Sequence, residues 1–493
     1  MTLVNVRKLF GTDGIRAVAG EYPLDASTIY ACGLALGHTL RKAAETSAVR
    51  DAEAPIAQTP IKVIFGRDTR ESSPWIAATM AAGVRKTGVR VESAGVITTP
   101  AVAFLARTHG FQAGVVISAS HNPWRDNGIK LFGGDGFKLA DAVELAMEEE
   151  ILHHAANSLA PDPASLPPVE DNAALQADYI QFLLDCVPGL SLSGLRIVAD
   201  CANGASAAVA PQLFARLKDR SVLPLRTASF TPAFGSELVR RLNTNVDFLN
   251  IAPDGRNIND GCGALYPAFV AGEVLARGAE LGLSFDGDAD RCMLAGAKNN
   301  VIDGDAILLV IARDLKARGL LTGDLVVATT MSNMGLEAAL KRSGIRMLRA
   351  PVGDRYVLEQ MLQHRAALGG EQSGHILLPH LATTGDGLLT ALVVLDLIAR
   401  TGKSIDELTA DLKVFPQVIV NVKVREKKPL ESIPAVAAAI HAAEEELKDS
   451  GRVVIRYSGT EALARVMIEA ESEEAMRRHA NAIAAAIRVE LGV

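Results

Sequence analysis

One arrangement of hydrophobic and polar segments recurs along the chain. At Ile61 an apolar, β-rich run (IKVIF) ends in polar GRDTR, and a helical stretch (WIAATMAAGVRKTG) and a second β run (VRVESAGV) follow. The same order returns at Leu195 (LRIVAD) and at Leu325 (LVVAT), so that the copies begin about 130 residues apart. Apolar strands that alternate with helices indicate parallel βαβ units. The repeat therefore predicts three similar α/β domains with mixed sheets.

The C-terminal part of the chain has a different pattern. From Val418 the sequence VIVNVKV alternates apolar and polar residues, as expected of a half-exposed antiparallel strand. Two more strand-like runs begin at Val453 and Leu463, and an Ala-rich helix follows from about Glu473. We therefore predict a smaller C-terminal α+β domain. The predicted domain boundaries are 1–170, 171–300, 301–414 and 415–493.

Three segments do not fit the repeat. Residues 155–171 are rich in Pro, Ala, Asp and Ser, which is typical of a linker. Residues 43–60 and 221–249 interrupt the alternation of strands and helices, and we interpret both as surface insertions.

Composition and charge exclude several classes of protein. The 493 residues include 50 Lys and Arg against 57 Asp and Glu, and a net charge of −7 is not that of a nucleic-acid binder. We find neither 18 uninterrupted apolar residues nor a signal peptide, which predicts a cytoplasmic protein with no membrane partner. The five cysteines are far apart and form no C-x-x-C pair, so we expect reduced thiols.

The strongest candidate site is FDGDADR. Asp286, Asp288 and Asp290 occupy alternate positions, so an extended segment would direct all three carboxylates to one side. Carboxylates so close repel one another unless a cation bridges them, and oxygen ligands of this kind select Mg²⁺ or Ca²⁺. Arg291 and Ala297 stand where an EF-hand requires Gly and Glu, which excludes that motif. We interpret the segment as a metal site; the alternative is a solvated acidic turn.

A second candidate is the serine of SASHNP. Ser120 lies where a buried strand (GVVIS) emerges into a loop, which is where open α/β sheets bind ligands. We expect the adjacent His121 to point away, so no Ser–His triad is predicted, and the chain contains no G-x-S-x-G elbow. Lys130 adds a cation shortly afterwards. The alternative is that Ser120 is an ordinary turn or helix-capping residue.

A third candidate is the segment RYSGTEALARV. It contains two guanidinium groups, two aliphatic hydroxyls and a glycine amide, which together suit a bound phosphate. The residues are Arg456, Ser458, Gly459, Thr460 and Arg465. The alternative is a polar β-turn with Arg465 facing solvent.

A fourth candidate is the glycine-rich segment GGEQSGH, followed by TTGDG at Thr383. Glu371, Ser373 and His375 suit recognition of sugar hydroxyls, although a flexible polar loop has the same composition. The GKS at Gly402 is not a P-loop, because Leu397 occupies the position of its first glycine. No G-x-G-x-x-G is present, so a Rossmann dinucleotide site is not supported either.

Five motifs, in order, resemble those of the α-D-phosphohexomutase superfamily: FGTDGIR, SASHNP, DGDADR, GEQSGH and RYSGTE. VGDRYV at Val352, Gln372 and TTGDG are similar to the branch that acts on glucosamine phosphates. The resemblance implies four domains and interconversion of glucosamine 6-phosphate and glucosamine 1-phosphate through a 1,6-bisphosphate, for UDP-N-acetylglucosamine synthesis. The alternative is a phosphomannomutase/phosphoglucomutase. A sugar-phosphate-binding protein without activity and a Mg²⁺-dependent phosphatase are the rival classes.

The same resemblance implies roles for the candidate residues. Ser120 would carry the phosphoryl group, and its phosphoserine oxygen would join the three aspartates as ligands of one Mg²⁺ per active site. A hexose or glucosamine 1,6-bisphosphate would prime the enzyme, which is expected to be a homodimer. Lys130, Arg16 and His121 would assist catalysis by proton transfer or charge stabilisation. The substrate would be bound by Arg291, Glu371, Ser373, His375, Arg456, Ser458, Gly459, Thr460 and Arg465.

The chain departs from the superfamily pattern at three positions in these motifs. Ala289 stands in the metal loop where glycine is usual, which is tolerable if the backbone there has a negative φ. Tyr457 and Ala462 stand where prolines are usual, and we expect them to loosen the phosphate-binding loop.

Overall fold

The computed structural model describes residues 9–11, 13–50, 60–157, 160–218, 245–458 and 462–493. The chain divides into two compact units, Met1–Thr330 with Leu348–Thr409, and Met331–Met347 with Ala410–Val493. The four domain boundaries expected from the sequence stay a prediction. In the described ranges, every helix is too short or too polar to cross a membrane.

The described residues form 17 strands. In chain order they are β1 Ile15–Val18, β2 Lys62–Arg67, β3 Arg90–Val96, β4 Ala113–Ile117, β5 Asp126–Gly133, β6 Ile197–Asp200, β7 Val246–Leu249, β8 Leu281–Phe285, β9 Cys292–Gly296, β10 Val301–Ile302, β11 Leu325–Thr329, β12 Arg346–Ala350, β13 Leu368–Gly370, β14 Ile376–Leu377, β15 Gln417–Lys423, β16 Gly451–Tyr457 and β17 Leu463–Ala470.

The α-helices of the same residues are numbered in the same way. They are α1 Ala26–Arg50, α2 Ser73–Lys86, α3 Thr99–Thr108, α4 Asp141–Asn157, α5 Ala173–Cys186, α6 Ser206–Lys218, α7 Pro267–Arg277, α8 Gly304–Ala317, α9 Met334–Arg342, α10 Asp354–His364, α11 Gly387–Thr401, α12 Ile405–Leu408, α13 Pro434–Leu447 and α14 Glu473–Leu491.

Three sheets share one plan. Their strand orders are β1-β5-β4-β2-β3, β10-β9-β8-β6-β7 and β12-β11-β13-β14. In each sheet, the strand that opens the sequence repeat (β2, β6 or β11) pairs in parallel with a later one (β4, β8 or β13). That later strand turns through a loop into an antiparallel neighbour, β5, β9 or β14. The predicted fold class, with three similar α/β domains, is therefore confirmed.

The C-terminal unit has a simpler sheet. Its three antiparallel strands are ordered β15-β17-β16, and α13 and α14 contribute to the same core. Val466 and Ile468 of β17 are fully buried in this core, as are Ile483 and Ile487 of α14. The expected smaller α+β domain is confirmed.

Helices α1, α2 and α4 share a core with the first sheet. Where α1 meets α2, a Cβ on Gly33 would lie 2.2 Å from the carbonyl oxygen of Met80, and one on Gly83 would lie 2.3 Å from that of Tyr30. Only glycine at these two positions allows such a close approach. The helix layer beside the first sheet is therefore tightly packed.

The three segments outside the repeat require corrections. Residues 43–50 belong to α1, while 51–59 lie outside the described residues, as do 219–244. The proposed insertion 221–249 is wrong at its end, because Val246–Leu249 form β7 beside β6. Four residues are too few for their alternation to be recognised in the sequence. The predicted linker 155–171 begins with the end of α4, and its last residue, Asp171, accepts two hydrogen bonds of 2.8 Å from Arg67.

Candidate active site

Three of the sequence motifs occupy equivalent loops in the three sheets. Ser120 follows β4, residues 286–290 follow β8, and residues 371–375 connect β13 to β14. Each loop therefore begins at the carboxyl end of the strand that turns into the antiparallel neighbour. Such strand ends are where open α/β sheets bind ligands.

Buried side chains fix the backbone around Ser120. The residue is 1% exposed, has a φ of 53°, and donates its N–H to Ser118 Oγ at 2.9 Å. Arg70 Nη2 donates to the carbonyl oxygens of Ser120 and Asn122 at 3.2 and 2.6 Å, and Asn259 donates to the same two oxygens. A left-handed serine costs about 1–2 kcal/mol, so these contacts hold a strained conformation.

The Ser120 hydroxyl donates to Asp286 Oδ2 at 2.5 Å. His121 Nδ1 lies 3.4 Å from the same hydroxyl, so the expectation that His121 points away is wrong. Adjacent side chains diverge in an extended strand, but here the backbone bends sharply at Ser120. The hydroxyl therefore lies between an aspartate and a histidine.

Asp286, Asp288 and Asp290 are buried, and one carboxylate oxygen of each lies within 4.8 Å of the others. The segment is not extended as expected, because β8 ends at Phe285 and the Ala289 N–H turns back to the Asp286 carbonyl at 3.1 Å. Asp288 Oδ1 and Asp290 Oδ1 are buried and have no hydrogen-bond partner among the described residues. Buried oxygens of this kind are normally satisfied. The group is suited to bind a divalent metal ion through oxygen ligands.

The three buried carboxylates repel one another, as the pKa of Asp286 shows. Burial raises the pKa of Asp286 well above its usual value, and the carboxylates of Asp290 and Asp288 raise it further. Burial also raises the pKa of Asp290, but nearby cations, Lys130 foremost, outweigh it and hold that pKa well below the usual value. Three carboxylates in one buried space therefore require positive charge close by.

Lys130 supplies part of that charge. Its buried Nζ lies 2.8 Å from Asp288 Oδ2, 3.3 Å from Asp290 Oδ2 and 3.2 Å from Asp13 Oδ2. Burial lowers the pKa of Lys130, but Asp13 and the two other carboxylates raise it well above the usual value. Of the two roles left open by the sequence, this environment favours charge stabilisation over proton transfer.

Asp13 links Lys130 to a second lysine. Lys138 Nζ donates to Asp13 Oδ1 and to Asp354 Oδ2, both at 2.6 Å, and Arg16 also pairs with Asp13. Burial raises the pKa of Asp13, but Lys130, Lys138 and Arg16 together lower it far below the usual value. The network holds Lys130 in place beside Asp288 and Asp290, and Arg16 beside Asp13.

Arg291 contacts both the aspartates and His121. Its backbone N–H donates to Asp286 Oδ1 at 3.2 Å, and its Nη1 lies 3.1 Å from His121 Nδ1. Because arginine only donates, Nδ1 must accept, which assigns the proton to Nε2 of a neutral ring. Burial lowers the pKa of His121 to about 4, with Arg291 and Arg16 adding to the effect. His121 is therefore uncharged at neutral pH.

The loop that follows β13 presents the remaining candidates of this unit. Glu371 Oε1 accepts the Gly353 N–H at 3.0 Å, and Ser373 Oγ donates to Glu371 Oε2 at 3.2 Å. His375 Nδ1 lies 3.7 Å from Asp290 Oδ1. Burial lowers the pKa of His375, but Asp290 and other carboxylates raise it to about 9. The Gly385 N–H donates to Nε2 at 3.2 Å, however, and this contact needs an unprotonated nitrogen. We assign the neutral ring, with its proton on Nδ1 towards Asp290.

In the C-terminal unit, two arginines face each other across a hairpin. Arg456 of β16 is directly opposite Arg465 of β17, and Ser458 N donates to the Leu463 carbonyl at 2.8 Å. Like charges directly opposed in a sheet are unfavourable, so the pair suits an anionic ligand. Gly459 and Thr460 lie outside the described residues.

Comparisons with known proteins agree with this arrangement. Residues 7–158, 303–415 and 419–486 match the models "Phosphoglucomutase/phosphomannomutase, alpha/beta/alpha domain I", "domain III" and "C-terminal domain". A phosphoglucosamine mutase of Koribacter versatilis is 53% identical over 99% of this chain and 98% of its own length. The chain belongs to the phosphoglucosamine mutase family. The resemblance seen in the five motifs is thus confirmed, and the protein is an enzyme of the phosphohexomutase type, an isomerase.

Solved structures of this fold are more distant in sequence. A phosphoglucomutase/phosphomannomutase family protein of Burkholderia thailandensis is 21% identical, has a TM-score of 0.69, and is matched over 98% of this chain and 99% of its own. An N-acetylphosphoglucosamine mutase of Aspergillus fumigatus, solved with GlcNAc-6P and magnesium, is 18% identical with a TM-score of 0.59, over 94% and 96% of the two chains. These similarities establish the fold.

Ala289 is the departure from the superfamily pattern that the structure addresses directly. We expected alanine to be tolerated here if the backbone had a negative φ. The residue has a φ of +54°, so that expectation is wrong. Alanine in the left-handed region costs about 1–2 kcal/mol, and only glycine adopts it freely. The sequence alone does not reveal this φ, because it depends on the turn back to Asp286.

We predict that Ala289→Gly stabilises the protein by about 0.5–1 kcal/mol, since relief of the backbone strain exceeds the added entropy of the unfolded chain. Chemical denaturation of both proteins measures the difference. Ala295→Gly in β9 is the matched control and should destabilise, because that residue is buried in a regular strand. A destabilised Ala289→Gly would show that the loop is not strained.

Several residues of the site were missed in the sequence. Asp13 and Asp354 lie inside the quoted motifs FGTDGIR and VGDRYV, yet only Arg16 was singled out there. Thr99 Oγ1 donates to Asp288 Oδ2 at 2.6 Å, and Lys138 bridges Asp13 and Asp354. The two aspartates could have been recognised because they belong to motifs. No pattern in the sequence points to Thr99 or Lys138.

Proposed function

We propose that the enzyme interconverts glucosamine 6-phosphate and glucosamine 1-phosphate, with Ser120 as the phosphoryl carrier. The observation that carries the proposal is the Ser120 hydroxyl, held in a strained loop 2.5 Å from Asp286 of the three-carboxylate group. A serine hydroxyl is a weak nucleophile, so transfer to and from it requires positioning and neutralisation of charge.

The reaction balances without water. The free hydroxyl oxygen of the substrate forms a bond to the phosphorus carried by Ser120, the bond between that phosphorus and Oγ breaks, and Oγ takes up one proton for the one that the substrate hydroxyl gives up. The product of this step is glucosamine 1,6-bisphosphate. After the bisphosphate has turned around, Oγ gives up its proton and takes the other phosphoryl group. The sugar oxygen that held this group is protonated, and the isomeric glucosamine phosphate leaves.

Mg²⁺ is the proposed metal, and Asp286, Asp288, Asp290 and phosphorylated Ser120 would hold it. When bound, it supplies positive charge next to the transferring phosphoryl group. Two carboxylate oxygens without a hydrogen-bond partner among the described residues, and a donor set made of carboxylates, fit this ion. A 1,6-bisphosphate primer, a homodimer and a cytoplasmic location remain proposals from the resemblance.

Charged side chains beside Ser120 stabilise the same step. Lys130 stays protonated between its carboxylates, and Arg16 and Arg291 are permanent cations, so all three balance the negative charge of the phosphoryl group. His121 is neutral and its Nδ1 lies 3.4 Å from Oγ, which makes it the candidate to relay a proton. Glu371 and Ser373 are proposed to bind sugar hydroxyls, and His375 is proposed to contact the substrate beside Asp290.

We further propose that the hairpin carrying Arg456, Ser458 and Arg465, with Gly459 and Thr460, binds the phosphate that does not react. Arg456→Ala should raise KM by roughly 10- to 100-fold, because it removes a charge-assisted contact, and should also lower kcat, since the phosphate orients both substrate and intermediate. Steady-state kinetics measure both constants. Arg477→Ala, an exposed arginine of α14, is the control. An unchanged KM for Arg456→Ala would exclude this phosphate site.

Substrate preference tests the proposed reaction. With matched bisphosphate priming, kcat/KM for glucosamine 1-phosphate should exceed that for glucose 1-phosphate and mannose 1-phosphate by at least about 10-fold. This factor needs only about 1.4 kcal/mol of differential binding, which one polar contact to the amino group provides. An equal or better rate with glucose or mannose phosphate would overturn the glucosamine assignment but leave the phosphohexomutase chemistry intact.

A further inference from the structure

A second group of metal-ligating side chains lies on α1 and α4, outside the loops of the active site. His38 of α1 and Glu150 and His154 of α4 each place one ligating atom within 4.8 Å of the others. His38 Nδ1 is 2.5 Å from Glu150 Oε1, and His154 Nε2 is 3.4 Å from the same oxygen. Two imidazole rings thus converge on one carboxylate oxygen.

The two helices hold these side chains on a packed base. Glu150 and His154 are four residues apart, so they are neighbours on one face of α4. Leu36 of α1 and Ile151 of α4 are almost fully buried in the same core, one or two residues from the group. The backbone positions of all three side chains are therefore fixed, as a metal site requires.

The donor set selects the kind of metal. Imidazole nitrogen with one carboxylate suits Zn²⁺, Co²⁺, Ni²⁺ and Cu²⁺, whereas Mg²⁺ prefers oxygen ligands such as those of the three aspartates. Two ligands of a tetrahedral Zn²⁺ are about 3.3 Å apart, given bonds of about 2.0–2.1 Å. The 3.4 Å between His154 and Glu150 fits this spacing. His38 must withdraw by about 1 Å, and its side chain, 47% exposed, has room on the solvent side to do so.

We propose that His38, Glu150 and His154 bind one divalent transition-metal ion, Zn²⁺ foremost, which ties α1 to α4. Three protein ligands leave a fourth position for water. Because the ion would bind the folded arrangement of two helices, it would stabilise the first domain. None of the three residues belongs to the catalytic group, so mutase turnover with Mg²⁺ does not depend on the site.

Zinc titration of the full chain tests the proposal. The protein is stripped with a chelator and titrated with Zn²⁺ by calorimetry in excess Mg²⁺, as wild type, His38→Gln, His154→Gln and His153→Gln. His153 is a neighbouring histidine outside the group. We therefore expect wild type and His153→Gln to bind zinc equally, and His38→Gln and His154→Gln to bind it at least about 10-fold more weakly. Zn²⁺ should raise the unfolding temperature of wild type and His153→Gln more than that of His38→Gln and His154→Gln. All four proteins should keep wild-type turnover with Mg²⁺.

Equal zinc stoichiometry and affinity in all four proteins would overturn the proposal. If a variant fails to fold, anomalous scattering at the zinc edge from wild-type crystals soaked in Zn²⁺ decides instead. A peak about 2.1 Å from the ligating atoms of the three residues supports the site. Zinc bound only at the aspartates, or nowhere, contradicts it.

Discussion

Replacement of Ser120 by alanine is expected to lower mutase turnover by at least about four orders of magnitude, as removal of a nucleophile does in other enzymes. The hydroxyl is the only group lost. The side chains of Arg70, Asn259 and Ser118 fix the loop through hydrogen bonds to the backbone of residue 120. The fold and the binding of glucosamine 6-phosphate should therefore persist. Coupled kinetics, circular dichroism and ligand-binding calorimetry measure the three quantities.

Ser118→Ala is the matched control for this substitution. It removes a serine hydroxyl from the same loop but leaves Ser120 in place, so the support of the Ser120 N–H and a 3.5 Å contact from Arg70 Nη1 are lost. We expect a partial loss of turnover, far smaller than that of Ser120→Ala. Substantial turnover by Ser120→Ala would contradict the assignment of this residue as carrier.

Asp288→Asn is expected to have the second largest effect, a fall in kcat of at least about 100- to 1,000-fold. Asp288 Oδ1 has no hydrogen-bond partner in the described part of the chain, while Oδ2 receives Lys130 and Thr99. The substitution therefore removes one charge and one metal-binding oxygen without removing a large side chain. The apparent affinity for Mg²⁺ should fall as well, so that high Mg²⁺ concentration restores part of the activity.

The control for Asp288→Asn is Asp178→Asn, which makes the same chemical change at a half-exposed aspartate paired with His109. It should leave kcat and the Mg²⁺ dependence unchanged. Chelation of the wild type should abolish activity, and added Mg²⁺ should restore it. Full activity after exhaustive chelation would show that the three carboxylates have another function.

The fold class could be predicted from the sequence because it depends on local patterns of apolar and polar residues. The strands that open each repeat, β2, β6 and β11, are short apolar runs followed by helices, and period and spacing sufficed to find them. The candidate site was partly accessible for a related reason. Ser120, the three aspartates and residues 371–375 each follow a buried strand, so the loops could be located one by one.

The pairing of charges between loops could not be predicted. Lys138 meets Asp13 and Asp354, which are 125 and 216 positions away in the sequence. Such contacts depend on how the domains pack, and the local spacing of apolar and polar residues does not predict them. The conformations of Ser120 and Ala289 were missed for a similar reason, because long-range hydrogen bonds and a turn fix their positive φ.

The most direct test of the account is to follow one phosphoryl group from the enzyme to the sugar. Enzyme primed with radiolabelled bisphosphate is freed of excess label, mapped by proteolysis, and mixed with unlabelled glucosamine 6-phosphate in a single turnover. The account predicts label on the peptide containing Ser120, which then appears in glucosamine 1,6-bisphosphate and glucosamine phosphate. Label on another residue, or label released only as inorganic phosphate, would contradict it.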